Sequence, residues 1–560
     1  MMCVVENRNA SAKGLLVVIL LALLLSLPWI DRAFYSRGEP REALVAQAMV
    51  ATGNWISPPA YDGAVPSKPP FSHWLISLVS LPQGDVNEAT SRLPSAIAFV
   101  GFCASLYVFL ARRLSPQAAL LAPLILFTSS EWFRSASTCR VDTILSVSLA
   151  GALLALFSWS ERGRKGFPWL AALLIAFSAL TKGPVGIVLP LSIYSLYELL
   201  VCGITASTIT RIALRAILIS IPAVVLVSGW YVAGYLQRGD IFLEKVWYEN
   251  FARFASTMED EPHKHSVFYL DGMLLLGLLP WSLAWLWLLV RDVKGFLVHC
   301  RSWRSVWANA TPLQRFSFLS ASCIFLFFCI PSSKRSVYLL PAYPFIAILA
   351  AESAEVWGMS CKRLLAALSR ILVVFAGIVA IGAVVVVAFP ITPELARFRE
   401  AFVAVVTTRK VMLVLGLVVA LRVWGRDTVR DLQRSPVSQL GISLWLTVVI
   451  CSFLVVDPLC YQLSPKGWLL QPSVMNSLQL SKHEKLYSFG SEQYGMSFYL
   501  KKPFFGASRG IPVGSLVFVE QRNIERLKSE ISSNVREVAR FTSGLEPDKK
   551  AVVVMEIGPS

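Results

Sequence analysis

Apolar runs of near-bilayer length recur along almost the whole chain, and no other feature limits its possible folds so sharply. They lie at 14–30, 95–111, 116–130, 143–159, 168–181, 184–201, 211–234, 269–290, 315–331, 337–356, 367–389, 411–424 and 438–457, about thirteen in all. A bilayer core of about 30 Å takes about 20 apolar residues per helix, so each long run is a candidate span. Composition points the same way: 55% of the 560 residues are hydrophobic and only 16% are charged. A soluble domain carries about 25% charged residues. Disorder, a fibrous repeat and a disulfide scaffold are excluded by this apolar content. No period of 20–50 residues is visible, which excludes a solenoid. The sequence predicts an all-α polytopic membrane protein.

The net charge of +17 would suggest nucleic acid only if it formed a solvated patch. In a hydrophobic chain, Lys and Arg more often mark the cytoplasmic ends of spans. With the N-terminus inside, the inner loops carry Arg112–Arg113, Arg162–Lys165, Arg211 and Arg215, Arg291–Arg304, Lys362–Arg363 and Arg422–Arg434. Basic clusters thus recur after every second span. Arg397, Arg399, Arg409 and Lys410 fall on the outer side and break the pattern. The first run follows Arg8 and Lys13 and shows no small-residue cleavage site, so a retained anchor is expected. The ten cysteines stand singly, without a CxxC pair, and are expected as small buried apolar residues. A Cys451–Cys460 bridge is left open by the spacing.

An odd number of spans leaves the C-terminus outside. The outer segments are then 31–94, 131–142, 235–268 and 332–336, with the Lys182–Pro184 turn between two spans. Composition changes after residue 457. The stretch 485–556 mixes charged runs with β-type runs (Lys485–Phe489, Ser515–Glu520, Ala551–Glu556) and a helical pattern near 523–538. Two regions are therefore expected: 1–457 in the membrane and 458–560 as a small soluble α/β domain on the outer face.

Polar chemistry gathers outside. From Ser36 to Gly53 the chain reads as an amphipathic helix lying on the membrane surface, with Pro40 at its first position and Gly53 just past its end. Glu39 would be its N-cap, an exposed carboxylate favoured by the helix dipole. Lys68 sits among paired prolines, Pro66 and Pro69–Pro70 flanking it closely, on a stiff backbone that cannot continue a helix. A lysine so fixed suits an anion as well as a lipid headgroup. Arg92, Arg140, Asp142, Lys182, the Trp247–Phe254 loop with Glu249 and Arg253, and Lys334–Arg335 add basic groups and carboxylates on the same side. Lys and Arg at such a face stabilise anionic oxygens and a departing phosphate. His263 and His265 leave a divalent metal conceivable but unsupported, so no cofactor is expected. No HExxH, Walker A or GxSxG motif appears.

The order of these motifs resembles a known family. An acidic-x-Arg helix, a Gly-Asn-Trp turn, Lys-Pro-Pro, Arg-Leu-Pro-Ser, Arg-x-Asp, Lys-Gly-Pro, Glu-Asn-x-x-Arg-Phe, Leu-Leu-Pro-Trp and Ser-Lys-x-x-x-Tyr-x-Leu-Pro follow one another between about residues 14 and 345. This is similar to the GT-C glycosyltransferases of family 39/83, which use polyprenyl-phosphate sugars. Their members include lipid A aminoarabinose transferases and dolichyl-phosphate-mannose protein mannosyltransferases. The resemblance implies the GT-C fold and a bacterial inner-membrane location, with the C-terminal domain periplasmic. Many members read Asp-Glu-x-Arg-Tyr in the first loop, where this chain reads Gly38-Glu39-Pro40-Arg41-Glu42. Glycine replaces the usual Asp, and glutamate the usual Tyr. Glu39 is taken as the catalytic base, with Asp142 and Glu42 as alternatives. Lys68, Lys182, Arg253, Lys334, Tyr338 and Arg92 are implied as ligands of the lipid phosphate.

The expected reaction moves a sugar from a polyprenyl-phosphate carrier to a lipid (lipid A-like), protein or glycan acceptor, with inversion. A transporter or flippase of a lipid-linked or anionic solute is the rival, and a non-catalytic scaffold a third reading. A transporter places its polar groups at the midplane and often shows repeated halves, whereas here they collect at one face. Nucleic acid is not an expected partner; membrane lipids are.

Overall fold

A computed structural model describes residues 11–248, 265–291, 303–354, 362–468, 478 and 483–558, except 37, 60–67, 267, 332, 433–434, 484, 491–492, 508–510, 532–533 and 542–551. Among the described residues, eight helices are long and apolar enough to cross a membrane: Ala12–Trp29, Glu88–Ala111, Val141–Glu161, Val185–Cys202, Ala206–Arg238, Pro312–Cys329, Lys362–Ala388 and Pro436–Leu463. Two bent pairs raise the number to ten: Tyr269–Gly277 with Trp281–Trp287, bent by 110°, and Leu395–Val405 with Lys410–Val423, bent by 64°. The remaining expected runs fall on the shorter apolar helices Pro116–Thr128, Trp169–Lys182 and Ser336–Glu352. Every apolar run is thus helical, but the length criterion supports eight to ten spans, and the expected count of about thirteen is not reached. The three short helices lack the length to cross alone at 1.5 Å per residue.

Burial sorts the spans into a centre and a rim. Val141–Glu161 is 78% buried and Lys362–Ala388 only 11% buried over their most apolar windows. A helix apolar on all sides belongs in a core or against lipid, and these two mark the extremes. The central helices relevant below are α1 (Ala12–Ser26), α2 (Gly38–Thr52), α3 (Phe71–Ser80), α4 (Glu88–Ala111), α5 (Pro116–Thr128), α6 (Ser130–Ala136), α7 (Val141–Glu161) and α8 (Trp169–Lys182). α4 packs on α1, α3, α5 and α7, and α7 on α8. Thr128, Trp132, Trp281 and Leu340 tie this core together: Trp132 Nε1 donates to Leu340 O at 2.9 Å and Trp281 Nε1 to Thr128 Oγ1 at 3.1 Å.

Lys410, an exception to the charge pattern, has a local explanation. Its buried ammonium lies 2.8 Å from Asp457 and 2.9 Å from Asp31, and Arg32 approaches Asp457 at 3.1 Å. A charge neutralised by partners need not obey a rule that concerns free charge near span ends. Cys451 and Cys460 are both free, so the bridge left open by their spacing is not formed.

Beyond the last span stands a five-stranded sheet of order β2-β1-β3-β5-β4. Its strands are β1 (Leu486–Phe489), β2 (Phe504–Gly506), β3 (Leu516–Glu520), β4 (Val535–Phe541) and β5 (Val552–Ile557). β1 pairs in parallel with β2 and β3, while β5 runs antiparallel to β3 and β4. β3 is buried along its whole length, as a strand covered on both faces must be. The helical pattern expected over 523–538 stops at Glu530. From Val535 the chain is instead an edge strand paired with β5, a segment whose β-branched and aromatic residues (Val535, Val538, Phe541) suit a pleated, half-buried surface.

This sheet domain docks on the segment that begins the outer loop. The Phe498 and Phe34 rings meet at 4.9 Å, Phe34 N donates to Tyr499 Oη at 2.8 Å, and Lys466 lies 2.6 Å from Glu88. Lys501 reaches Asp85 at 2.8 Å. The C-terminal sheet and the 31–94 loop therefore occupy one face of the molecule.

Candidate active site

α2 ends as its sequence dictates: Gly53 adopts φ +70° and its N–H caps Met49 O at 2.9 Å. Its surroundings differ from expectation. It begins at Gly38, so Pro40 is its third residue and Glu39 lies inside the first turn. Nor does it present an exposed carboxylate. Glu39 is 1% and Glu42 5% exposed, since α3 and the helix Tyr494–Leu500 of the sheet domain both pack against α2.

The two glutamates have different partners. Glu39 forms a two-pronged pair with Arg92, Nε to Oε1 at 2.7 Å and Nη2 to Oε2 at 3.1 Å, and Oε1 also accepts from Cys139 N at 2.9 Å. Arg92, 1% exposed, spends Nη1 on the Ile30 and Arg32 carbonyls and stacks over Phe34 at 4.7 Å. Burial would raise the Glu39 pKa, but Arg92 outweighs it and the group stays below its usual range. This is a closed joint between α2, α4 and the loop before α7. Removing one partner of such a pair costs about 3–5 kcal/mol.

Glu42 faces the other way. Its Oε1 lies 2.5 Å from Lys68 Nζ and 2.7 Å from Arg41 Nη2, and its Oε2 lies 2.8 Å from His73 Nε2. One piece of chain supplies two of these groups: Pro70 caps α3, leaving Lys68 just before the helix and His73 in its first turn. Desolvation pushes Glu42 up, yet Lys68, Arg41 and His73 together hold it well below the carboxylate range. Lys68 is pulled down to about 8, mainly by burial, with Glu42 opposing.

A second pair adjoins the first. Asp142, in the first turn of α7, lies 2.7 Å from Lys182 Nζ and 3.7 Å from Arg140 Nε. Lys182 is the last residue of α8, before a Gly183-Pro184 turn in which Gly183 takes φ +73°. Its ammonium sits 4.2 Å from the Tyr338 ring centroid. Gly38 is adjacent as well: a Cβ there would stand 3.7 Å from the Arg140 guanidinium carbon. Arg335 joins from the opposite side, its pKa lowered by burial and by the charge of Arg140.

Lys68, Asp142, Lys182 and Tyr338 are thus brought together as the sequence suggested. Arg92 is separate, consumed by Glu39. Lys334 is buried, and its ammonium donates to Pro331 O at 2.6 Å, while its neighbour Arg335 reaches the cluster. Arg253, Glu249 and His263 lie outside the described residues; His265 stacks on Tyr269 at 3.9 Å. Sequence reasoning passed over His73, although its place five residues after Lys68 and within the first turn of an apolar helix was a usable signal. Among the described residues the assembled cluster holds five cations (Arg41, Lys68, Arg140, Lys182, Arg335) against two carboxylates (Glu42, Asp142). The side chains of Lys68, Arg140 and Lys182 are 20–22% exposed. Such a half-buried surplus of positive charge calls for an anion.

The profile of the dolichyl-phosphate-mannose-protein mannosyltransferase family matches residues 67–230. The undecaprenyl phosphate-alpha-4-amino-4-deoxy-L-arabinose arabinosyl transferase of Shewanella sediminis is 29% identical over 354 residues, 60% of this chain and 59% of that protein. An uncharacterized protein of Aquifex aeolicus is 30% identical over 59% of this chain and 63% of its own length. The chain therefore spans less than two thirds of the curated relatives it matches. The fold is similar to that of ArnT from Cupriavidus metallidurans bound to undecaprenyl phosphate, with TM-score 0.67 at 19% identity, over 98% of this chain and 100% of that one.

Proposed function

We propose that the chain is a GT-C glycosyltransferase that transfers one sugar from a polyprenyl-phosphate donor to an acceptor on the outer face of a bacterial inner membrane. The acceptor is a lipid of the lipid A type, a protein or a glycan. The observation that carries this reading is the cation surplus at the outer mouth of the helical core. A polyprenyl-phosphate sugar presents one anionic phosphodiester, and transfer releases a phosphate of higher charge. Cations arranged to meet that growing charge stabilise the transition state more than the bound donor, which is what accelerates the step. Relatives named for undecaprenyl phosphate-linked aminoarabinose support a lipid-linked donor.

In the proposed step an acceptor oxygen attacks the anomeric carbon from the face opposite the phosphate. The carbon–oxygen bond to phosphate breaks with its electron pair, inverting the centre. Lys68, Lys182, Arg140 and Arg335 bind the phosphate oxygens, Tyr338 orients Lys182, and Arg253 is retained as a further ligand. A carboxylate of the cluster, Glu42 or Asp142, takes the acceptor proton. Glu39 and Arg92 hold the outer loop in place and do not touch substrate. In this reading residues 1–457 are the membrane transferase, with the N-terminus cytoplasmic, and 458–560 form the periplasmic domain. Proteoliposomes supplied with radiolabelled polyprenyl-phosphate sugars and membrane acceptors test it. Covalent transfer that is lost in Lys68→Ala and Lys182→Ala supports the proposal. Wild-type protein that transfers no sugar from any such donor overturns it.

A further inference from the structure

We propose that Glu42 is the carboxylate that accepts the acceptor's proton and that His73 is its positioning residue, so that the acidic centre of this chain stands one helical turn beyond the glycine at position 38. The inference rests on the transfer reading above and decides what that reading leaves open, which acid acts. Three carboxylates compete. Glu39 is closed off in a two-pronged pair with the equally buried Arg92, and Cys139 N also donates to it. Asp142 is held between two cations, Lys182 and Arg140. Glu42 lines a narrow cleft, shared with Ser72, Ser91, Ser95 and Arg140.

Position explains why Glu42 can serve. Residues 38 and 42 are four apart on α2, so they share a face of the helix. Gly38 leaves the approach to Arg140 open, with a Cβ reaching no nearer than 3.7 Å. A carboxylate at position 38 would enter that opening directly; here the longer Glu42 approaches it from the next turn.

His73 explains how Glu42 is held. An ionised carboxylate only accepts, so Nε2 must carry the proton and donate to Oε2. That fixes Oε2 and leaves Oε1 to the cations. The other ring nitrogen, Nδ1, and the neighbouring Ser72 Oγ are buried without a hydrogen-bond partner among the described residues. Unsatisfied polar atoms beside a charged cleft mark a place that a ligand completes. The charged or titratable groups facing Glu42 are Arg41 on its own helix, Lys68 just before α3, His73 in the first turn of α3, and Arg140 from the turn before α7.

An order of events follows. Without donor, Lys68 and Arg41 sit on Oε1 and Glu42 is a weak base. A bound phosphate competes for Lys68, which takes one of the two cations off Oε1, leaves Arg41 there and strengthens Glu42 as a base. The acceptor O–H then delivers its proton to Oε1 as the new carbon–oxygen bond forms and the phosphate departs with the bonding electrons. Donor binding thereby activates the acid group that handles the second substrate.

The test compares Glu42→Gln, Asp142→Asn, His73→Gln and the double variant Gly38→Asp/Glu42→Gln with wild type in proteoliposomes. Transfer and binding of radiolabelled undecaprenyl phosphate are measured separately. Expected results are a loss of turnover of about 10²-fold or more in Glu42→Gln, with lipid-phosphate binding as tight as wild type or tighter. Recovery of at least tenfold should appear in the double variant. His73→Gln should shift the acid limb of the kcat–pH profile, which a merely structural loss would scale without moving. Glu42→Gln turnover near that of an active wild type, or no recovery in the double variant, overturns the assignment while leaving the transfer reading intact. Wild type that binds the lipid phosphate but transfers nothing overturns both.

Discussion

The two ends of the helical core use the same residue types to opposite effect. At the end that carries Arg113 and Arg162, Glu198 is buried and gripped by Arg164 through two bonds of 2.6 and 2.8 Å, with Ser160 donating at 2.8 Å and Arg215 lying 4.0 Å away. Arg113 is likewise matched to Glu161. Arg112 and Arg162 at this end are exposed. Buried charge there is balanced, and the free charge is solvated. At the opposite end, the cluster around Glu42 and Asp142 is partly withdrawn from water yet carries more cations than anions among the described residues. The Glu39–Arg92 joint beside it shows that balance was equally available there. Charge at a membrane protein's ends is therefore informative by its pairing rather than its amount.

That contrast can be broken experimentally, starting with its strongest element. Lys68→Ala should lower transfer by about 10³-fold, the scale of losing one transition-state donor, while thermal unfolding in detergent changes little; loss of both together would make Lys68 a structural residue. Arg92→Ala and Glu198→Ala remove balanced partners instead. Each should destabilise the fold by about 3–5 kcal/mol, read as a lower unfolding midpoint, with turnover per folded molecule retained in the Glu198→Ala protein. Acidity offers a milder lever. Lys68, depressed to about 8, is charged below that pH and neutral above it, so affinity for a lipid phosphate should fall as pH rises through about 8. Lys68→Arg should flatten this dependence, as arginine stays protonated. The smallest effect is expected for Arg112→Gln with Arg162→Gln: transfer within about twofold of wild type, because exposed charges of this kind contribute little to any one contact.

Much of this architecture was legible because bilayer physics writes a long, low-frequency signal into sequence. Each expected apolar run is a helix, and the β-type runs at 485–489 and 515–520 became paired strands. Lys68 and Lys182 stood out for local reasons, proline stiffening and a glycine turn. The choice among Glu39, Glu42 and Asp142 did not, since it depends on partners far away in the chain. Arg92 lies 53 residues from Glu39, and the helix Tyr494–Leu500 that buries α2 comes more than 400 residues later. A motif can say that two acids sit three residues apart on one helix. Only the surroundings reveal which of them is already spoken for.

The bond from Phe34 N to Tyr499 Oη spans 465 residues and sets a schedule. During synthesis the segment bearing Gly38, Glu39 and Glu42 leaves the ribosome early, yet the surface that packs against it is translated only after the helical core. The outer helix must wait at the membrane for the sheet domain to emerge. The burial of α2 is therefore complete only once the C-terminal sheet domain has been made.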